Sequence, residues 1–352
     1  MVRFTVSACT WLILVSALAA DTKISADEPK PAPPSTKPWF VDDEKLFTDF
    51  MDKLTQLAKD GKCLANERLV GKMHSGKKAK IALARPRDQV LTSHEVYEAA
   101  LPSVFIIGSV HKNQDKDEGK DDKDNGKDAK ENGKGKDWKD GIYATAWVAA
   151  ADGVLVTNWH VFEDLKESEV FGAVDYQGNV YPVIDFLGGD KVADVAIVKI
   201  AATGLKPLPV ADRYPQVGTW VGVLGHPGDN YYVFTQGFVT RYSTNKNEDG
   251  KHERWMGLTA EYAGGSSGSP VLDQHGSVVG MAALTLTIDG SPGAATSTGR
   301  RSLLREPPQK APPPHEKIEP KDPEQRPGAG SSVQMILKMA VPGPIILKSI
   351  GK

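Results

Sequence analysis

The sequence predicts an all-β fold, a barrel or a sandwich, preceded by a helical extension. Three observations predict it. Short apolar runs recur at residues 143–149, 154–157, 180–186, 192–200, 220–224 and 233–239. Gly, Asp, Asn and Pro separate these runs, and no long helical pattern intervenes. Finally, 40% of the 352 residues are hydrophobic, enough to fill a core. The net charge of −2 gives no global attraction to nucleic acid or to an acidic membrane, so neither is expected as a partner.

The elements follow in chain order. Residues 1–19 read as a signal peptide: Arg3 supplies the positive start, TWLILVSALAA the apolar run, and Ala17-Leu18-Ala19 a small-x-small cleavage site. The run is too short to span a bilayer, so no stable membrane span is expected after cleavage. Only Cys9 and Cys63 are present, and Cys9 leaves with the leader. The remaining cysteine cannot form an internal disulfide, which fits a bacterial periplasmic or otherwise extracytoplasmic protein held by core packing. Residues 20–39 form a Pro-rich linker, and 40–92 a helical and basic extension. Within the extension, Leu46, Phe47, Phe50, Met51, Leu54, Leu57 and Ala58 recur at helical spacing, with Asp42 and Asp43 at the start and Gly61 at the end. That helix either packs on the main domain or serves as an oligomerisation arm.

The main domain is expected over 93–352. Ser93 is positioned to cap a short helix through Ala100, and 104–110 (VFIIGSV) reads as a strand. Residues 111–140 are nearly all Lys, Asp, Glu, Gly and Asn, too polar to bury, and predict a disordered loop. Lys123 would fall on a ligand position if Gly126 were the glycine of a calcium loop, which excludes that motif. A final β block spans 257–286. Residues 288–332 are Pro-rich and predict a second mobile insertion, either a spacer or a ligand for a proline-binding module. A closing strand at 335–341 and a short C-terminal helix, with Pro342 or Pro344 in its first turn, complete the chain.

Three features carry chemistry. GGSSGSPV at 264–271 is a glycine-bearing turn able to expose the Ser267 hydroxyl and to aim backbone N–H groups at a developing oxyanion. His160 stands where the apolar strand of GVLVTNWHV ends. Asp194 interrupts the apolar KVADVAIVKI, and a buried carboxylate needs a partner such as an imidazole. The order His, Asp, Ser within one β region is one of the known triad orders.

With those residues in place, the stretch 93–286 together with 333–350 resembles the protease domain of HtrA/DegP-type trypsin-like serine proteases. ADGVLVTNWHV, DYQGNVYPV with ADVAIVKI, and GGSSGSPVLDQHGSVVGM carry the resemblance. It implies two six-stranded antiparallel β-barrels with His160, Asp194 and Ser267 at the cleft between them. It also implies an oxyanion hole from the N–H groups of Gly265 and Ser267, polypeptide substrates and no cofactor or metal. It places Glu261 at the base of the substrate pocket and Ala282, Ala283 and Leu284 along its edge. A homotrimer is implied by resemblance alone. Ser266 and Ser269 depart from the family's usual residues, and no PDZ domain is expected. Besides an endopeptidase acting on exported or misfolded proteins, a non-catalytic binding or chaperone-like module on the same fold remains open.

Overall fold

A computed structural model describes residues 38–75, 81–113, 137–247, 249–289 and 333–351. The chain divides into two units, 1–40 and 41–352. Of the first, only Pro38, Trp39 and Phe40 are described. The expected leader, most of the linker and the bulk of both insertions lie outside the described residues.

The second unit contains the predicted all-β fold. Among the described residues, twelve strands form two closed antiparallel barrels. The first comprises β1 (Val104–Lys112), β2 (Trp138–Ala150), β3 (Val154–Thr157), β4 (Val170–Val174), β5 (Val180–Asp190) and β6 (Val195–Ile200), in the order β1-β2-β3-β6-β5-β4. The second comprises β7 (Trp220–Gly225), β8 (Val233–Lys246), β9 (His252–Leu258), β10 (Pro270–Leu272), β11 (Val278–Asp289) and β12 (Val333–Pro342), in the order β10-β11-β12-β9-β8-β7. Closure pairs every strand on both sides near the barrel centres, while the outer parts of β8, β9 and β11 are paired on one side only.

Alternation along the strands sorts side chains between cores. On β1, Phe105 and Ile107 point into the first barrel and pack with Ala146, Leu155, Phe171 and Val198. Val104 and Ile106, on the opposite face, join a second cluster with Trp147, Leu224, Met281 and Val341, which bonds the two barrels together. Both faces of β1 are therefore buried, which explains its unbroken apolar run. The interior of the second barrel is filled by Val221, Val223, Val239, Met256, Val271 and Val279.

Four helices among the described residues decorate the barrels. α1 (Asp43–Lys59) is capped by the Asp42 carboxylate, which accepts from the Lys45 N–H at 3.0 Å. Its Phe50 and Leu54 are fully buried, each worth roughly 2 kcal/mol. The seat for this helix is cut by glycine: a Cβ at Gly172 would lie 2.5 Å from Leu54 Cδ1, and one at Gly108 would lie 2.9 Å from Phe50 Cε1. α1 is thus packed on the first barrel. α2 (Asn66–Met73), a short helix whose basic sequence carries little helical pattern, follows it. α3 (Ser93–Ala100) is capped by Thr92, not by Ser93: Thr92 and Glu95 form a reciprocal capping box. α4 (Gly343–Ser349) closes the chain, with Pro344 in its first turn.

Three further corrections concern boundaries. β4 was not anticipated. The polar insertion expected at 111–140 has strand at both ends, since His111 pairs with Lys139 and Lys112 with Trp138. Likewise Ile288, expected in the second insertion, pairs with Met335 in the β11–β12 ladder.

Candidate active site

Asp194 is not inside a strand. Residues 191–194 form a turn that precedes β6. The Asp190 carboxylate ties that turn by accepting from the N–H groups of Val192 and Ala193, both at 3.0 Å. Asp194 itself has φ +56°, a region that disfavours side chains, so its placement is held against local strain. Its carboxylate is nonetheless buried. The burial is compensated by His160: Oδ2 lies 2.8 Å from Nδ1 of the ring, and Oδ1 accepts from the His160 backbone N–H at 3.0 Å. Asn158, fully buried, donates to the Asp194 carbonyl at 3.0 Å. The aspartate thus grips both the ring and the main chain of the histidine. With Nδ1 as donor, the lone pair of the ring sits on Nε2.

His160 lies in a short 3-10 turn, Trp159–Phe162, directly after β3. Trp159 and Phe162 both pack edge-on against Phe186, at 5.6 Å in each case. This packing fixes the turn beneath the imidazole.

Ser267 belongs to the turn before β10. Its neighbours' N–H groups are committed: Ser266 donates to Ala263 O, Gly268 to Ala282 O and Ser269 to Ser266 O. The N–H groups of Gly265 and Ser267 find no acceptor among the described residues. Ser267 Oγ donates to the Ala283 carbonyl at 3.5 Å.

Thr145, on β2 of the first barrel, fastens this turn across the seam. Its N–H donates to Ser267 O at 2.8 Å, and its hydroxyl donates to Gly265 O at 3.0 Å. Thr157, three residues before His160, donates to Thr145 O at 2.7 Å. The contact is close enough to demand glycine at 268: a Cβ there would lie 2.0 Å from Thr145 O and 2.4 Å from Thr157 Oγ1. The serine turn is therefore pinned against the strand that delivers the histidine. Thr145, Thr157 and Asn158 were not picked out from the sequence. The available signal was weak, a polar residue on an apolar strand.

A narrow cavity beside Ser267 is lined by Tyr262, Ala263, Gly264, Ala283, Leu284 and Thr285, and its free volume is about 10 Å³. That is room for about one water. Ala283 and Leu284 line this cavity, whereas Ala282 lies behind, bonded to the serine turn. Glu261 does not line it. Its carboxylate is mostly exposed and pairs with Lys338 at 3.0 Å. Lys338 is buried; its ammonium also donates to Tyr262 O and lies 5.5 Å from the centre of the Tyr262 ring. The Tyr262 hydroxyl donates to Met339 O at 2.7 Å, so the ring is fixed as a wall.

Among the described residues, no cluster of three His, Cys, Asp or Glu side chains could hold a metal ion. No helix among them is long and apolar enough to cross a membrane.

Residues 144–281 match the trypsin-like peptidase domain family. The chain is 29% identical over 156 residues to a probable periplasmic serine endoprotease, DegP-like, of Chlamydia pneumoniae, covering 44% of this chain and 31% of that protein. It is 28% identical over 149 residues to the serine endoprotease DegS of Escherichia coli (strain K12), covering 42% of this chain and 40% of that protein. It thus spans well under half the length of these curated relatives. A solved serine endoprotease from Yersinia pestis aligns over 56% of this chain and 59% of its own, at 18% identity and a TM-score of 0.40.

Proposed function

Starting from a trypsin-like peptidase domain of the HtrA type, we propose that this chain is a serine endopeptidase working through His160, Asp194 and Ser267. The observation that carries the reading is the two-point hold of Asp194 on His160, 2.8 Å to the ring and 3.0 Å to the main chain. A merely structural aspartate has no need to fix an imidazole tautomer. In the proposed cycle, His160 Nε2 takes the Ser267 proton as Oγ attacks a peptide carbonyl. The N–H groups of Gly265 and Ser267 receive the oxyanion. Protonated His160, stabilised by Asp194, gives its proton to the leaving amine, and water then hydrolyses the acyl-enzyme by the same route in reverse. These steps draw only on side chains and backbone N–H groups of the chain itself.

The proposed substrates are exported or misfolded polypeptides, and the proposed compartment is extracytoplasmic, in keeping with the names of the relatives. The narrow cavity walled by Tyr262 favours a small apolar side chain before the scissile bond. Pairing with Lys338 takes the Glu261 charge out of contention for a basic one.

The test is labelling with a fluorophosphonate, followed by digestion of a peptide library. The wild-type chain should label at Ser267 and cleave after small apolar residues, and Ser267→Ala should do neither. A folded wild type that does not label would overturn the reading in favour of a binding module on the protease fold.

A further inference from the structure

The oxyanion turn has a support that lies outside both barrels. The carbonyl of Gly264 is held by the Gly228 N–H at 2.8 Å. Because the peptide is planar and trans, fixing that carbonyl turns the Gly265 N–H the opposite way, off the loop. The orientation of one proposed oxyanion donor therefore depends on where Gly228 sits.

The loop that carries Gly228 cannot hold its own shape cheaply. Gly228, Asp229 and Tyr232 have φ of +52°, +60° and +61°. The two non-glycine residues are in a region that side chains rarely adopt, and such a conformation persists only when its surroundings impose it. Asn230 braces the loop from within, donating its side-chain amide to the Pro227 and Gly228 carbonyls at 3.2 and 2.7 Å, and four contacts from outside the loop complete the hold. The Asp229 N–H donates to the Tyr143 hydroxyl at 2.9 Å. The Tyr232 N–H donates to His226 Nδ1 at 3.1 Å. The Tyr231 N–H donates to Asp43 Oδ1 at 3.0 Å. Phe47 stacks on Tyr231, with centroids 6.1 Å apart and planes at 15°, and meets Tyr143 edge-on at 5.6 Å. Tyr143 in turn crowds Gly265, where a Cβ would lie 2.6 Å from its ring and 2.3 Å from His226 O.

Two of these four contacts come from the first two turns of α1. We propose that Asp43 and Phe47 are positioning residues for the oxyanion hole: docking of α1 holds the 227–232 loop, the loop holds the Gly264–Gly265 peptide, and catalysis depends on the helix at this one remove. The kinetic half of this proposal rests on the endopeptidase reading; the mechanical half does not. α1 thereby becomes a handle by which anything that lifts the helix lowers turnover without touching the triad.

Two measurements test it. In the Ser267→Ala background, amide hydrogen exchange is followed at Gly228, Tyr231, Tyr232 and Gly265 with and without Asp43→Ala. Exchange should quicken at least about tenfold at the hydrogen-bonded loop amides of Gly228, Tyr231 and Tyr232, with the unbonded Gly265 amide as the fast-exchanging reference, while β1 and β6 keep their protection. Unchanged exchange overturns the proposal, whether or not the chain is a protease. In the active chain, Asp43→Ala and Phe47→Ala should each lower kcat about tenfold with KM within about twofold, a fraction of what loss of a whole oxyanion donor costs. Asp43→Asn, which keeps the accepting oxygen, should stay within about twofold of wild type. A fall in KM-linked binding alone, or a kcat loss that Asp43→Asn shares in full, would overturn it. A wild type without hydrolytic activity would sink the endopeptidase reading and leave the exchange result to decide the coupling.

Discussion

The histidine–aspartate pair and the serine turn are linked through Thr157 and Thr145, yet they are held in opposite ways. The pair is built locally. Asp190 ties the turn of Asp194, Asn158 bonds its carbonyl, and the 3-10 turn of His160 follows directly on β3. The serine turn is built remotely. Thr145 holds it from the other barrel, Gly228 from a loop, and Asp43 supports that loop from 188 residues away in sequence. The difference teaches that the proposed proton-transfer half of the site needs little beyond its own strands. The proposed charge-stabilising half is an assembly of distant parts, and it should be the half that can be modulated.

The largest expected effect breaks the local half. Asp194→Asn removes the charge that fixes and stabilises the imidazole, and kcat should fall about 10⁴-fold with the fold intact. Active-site titration alongside thermal unfolding checks it; a loss under tenfold would remove Asp194 from the mechanism. The next effect strikes the remote half through stability. Gly268→Ala drives a Cβ into the Thr145 carbonyl at φ +89°, and should cost about 3 kcal/mol of unfolding free energy and abolish labelling. Denaturant melts would show whether the two barrels are locked at that point.

The third effect is pH-dependent. Burial pushes the His226 imidazole down to about 3 from an ordinary 6.5, so the folded chain stays unprotonated where the unfolded chain takes a proton. This contribution to stability is fully present above pH 6.5 and is lost progressively as pH falls from 6.5 toward 3, at about 1.4 kcal/mol per unit. Between pH 7 and pH 5 the wild type should lose about 2 kcal/mol more than His226→Gln, read from urea midpoints at the two pH values. Equal losses would show that His226 is solvated. The smallest effect concerns specificity. Lys338→Met releases the Glu261 carboxylate, and cleavage after Lys or Arg should rise by a few-fold, about 1 kcal/mol or less for a largely exposed charge, in a peptide-library digest.

The same contrast decides what could be read from the chain itself. The β-barrel class was legible because alternating and continuous apolar runs report burial of one or both faces of a strand. His160, Asp194 and Ser267 stand out in the sequence as candidates because each breaks the texture around it. Asp194 was nonetheless assigned to a strand, since the turn that places it depends on the Asp190 side chain, not on hydropathy. β4 was passed over because Gly172 interrupts VFGAV, and only α1 in place shows that Leu54 requires that glycine. α2 is short, basic and buries a single residue, Leu69, so its pattern barely rises above a loop. The pocket reading misplaced Glu261 because position in sequence says nothing of Lys338, whose ammonium draws the carboxylate aside. The supports of the oxyanion turn were invisible for a simpler reason. A bond between Tyr143 and Asp229 spans 86 residues, and no local spacing encodes it.

The neck of the β1–β2 hairpin has a practical side. Lys112 pairs with Trp138, and the Asn113 N–H donates to Asp137 O at 2.9 Å, so the ladder is sealed before the chain leaves it. Whatever is joined there sees two ends already fixed side by side, and lengthening the connection costs only a logarithmic entropy, about 0.6 kcal/mol per doubling. A fluorescent reporter or an affinity tag spliced between 113 and 137 should therefore leave barrel closure untouched, making this the natural grafting port of the molecule.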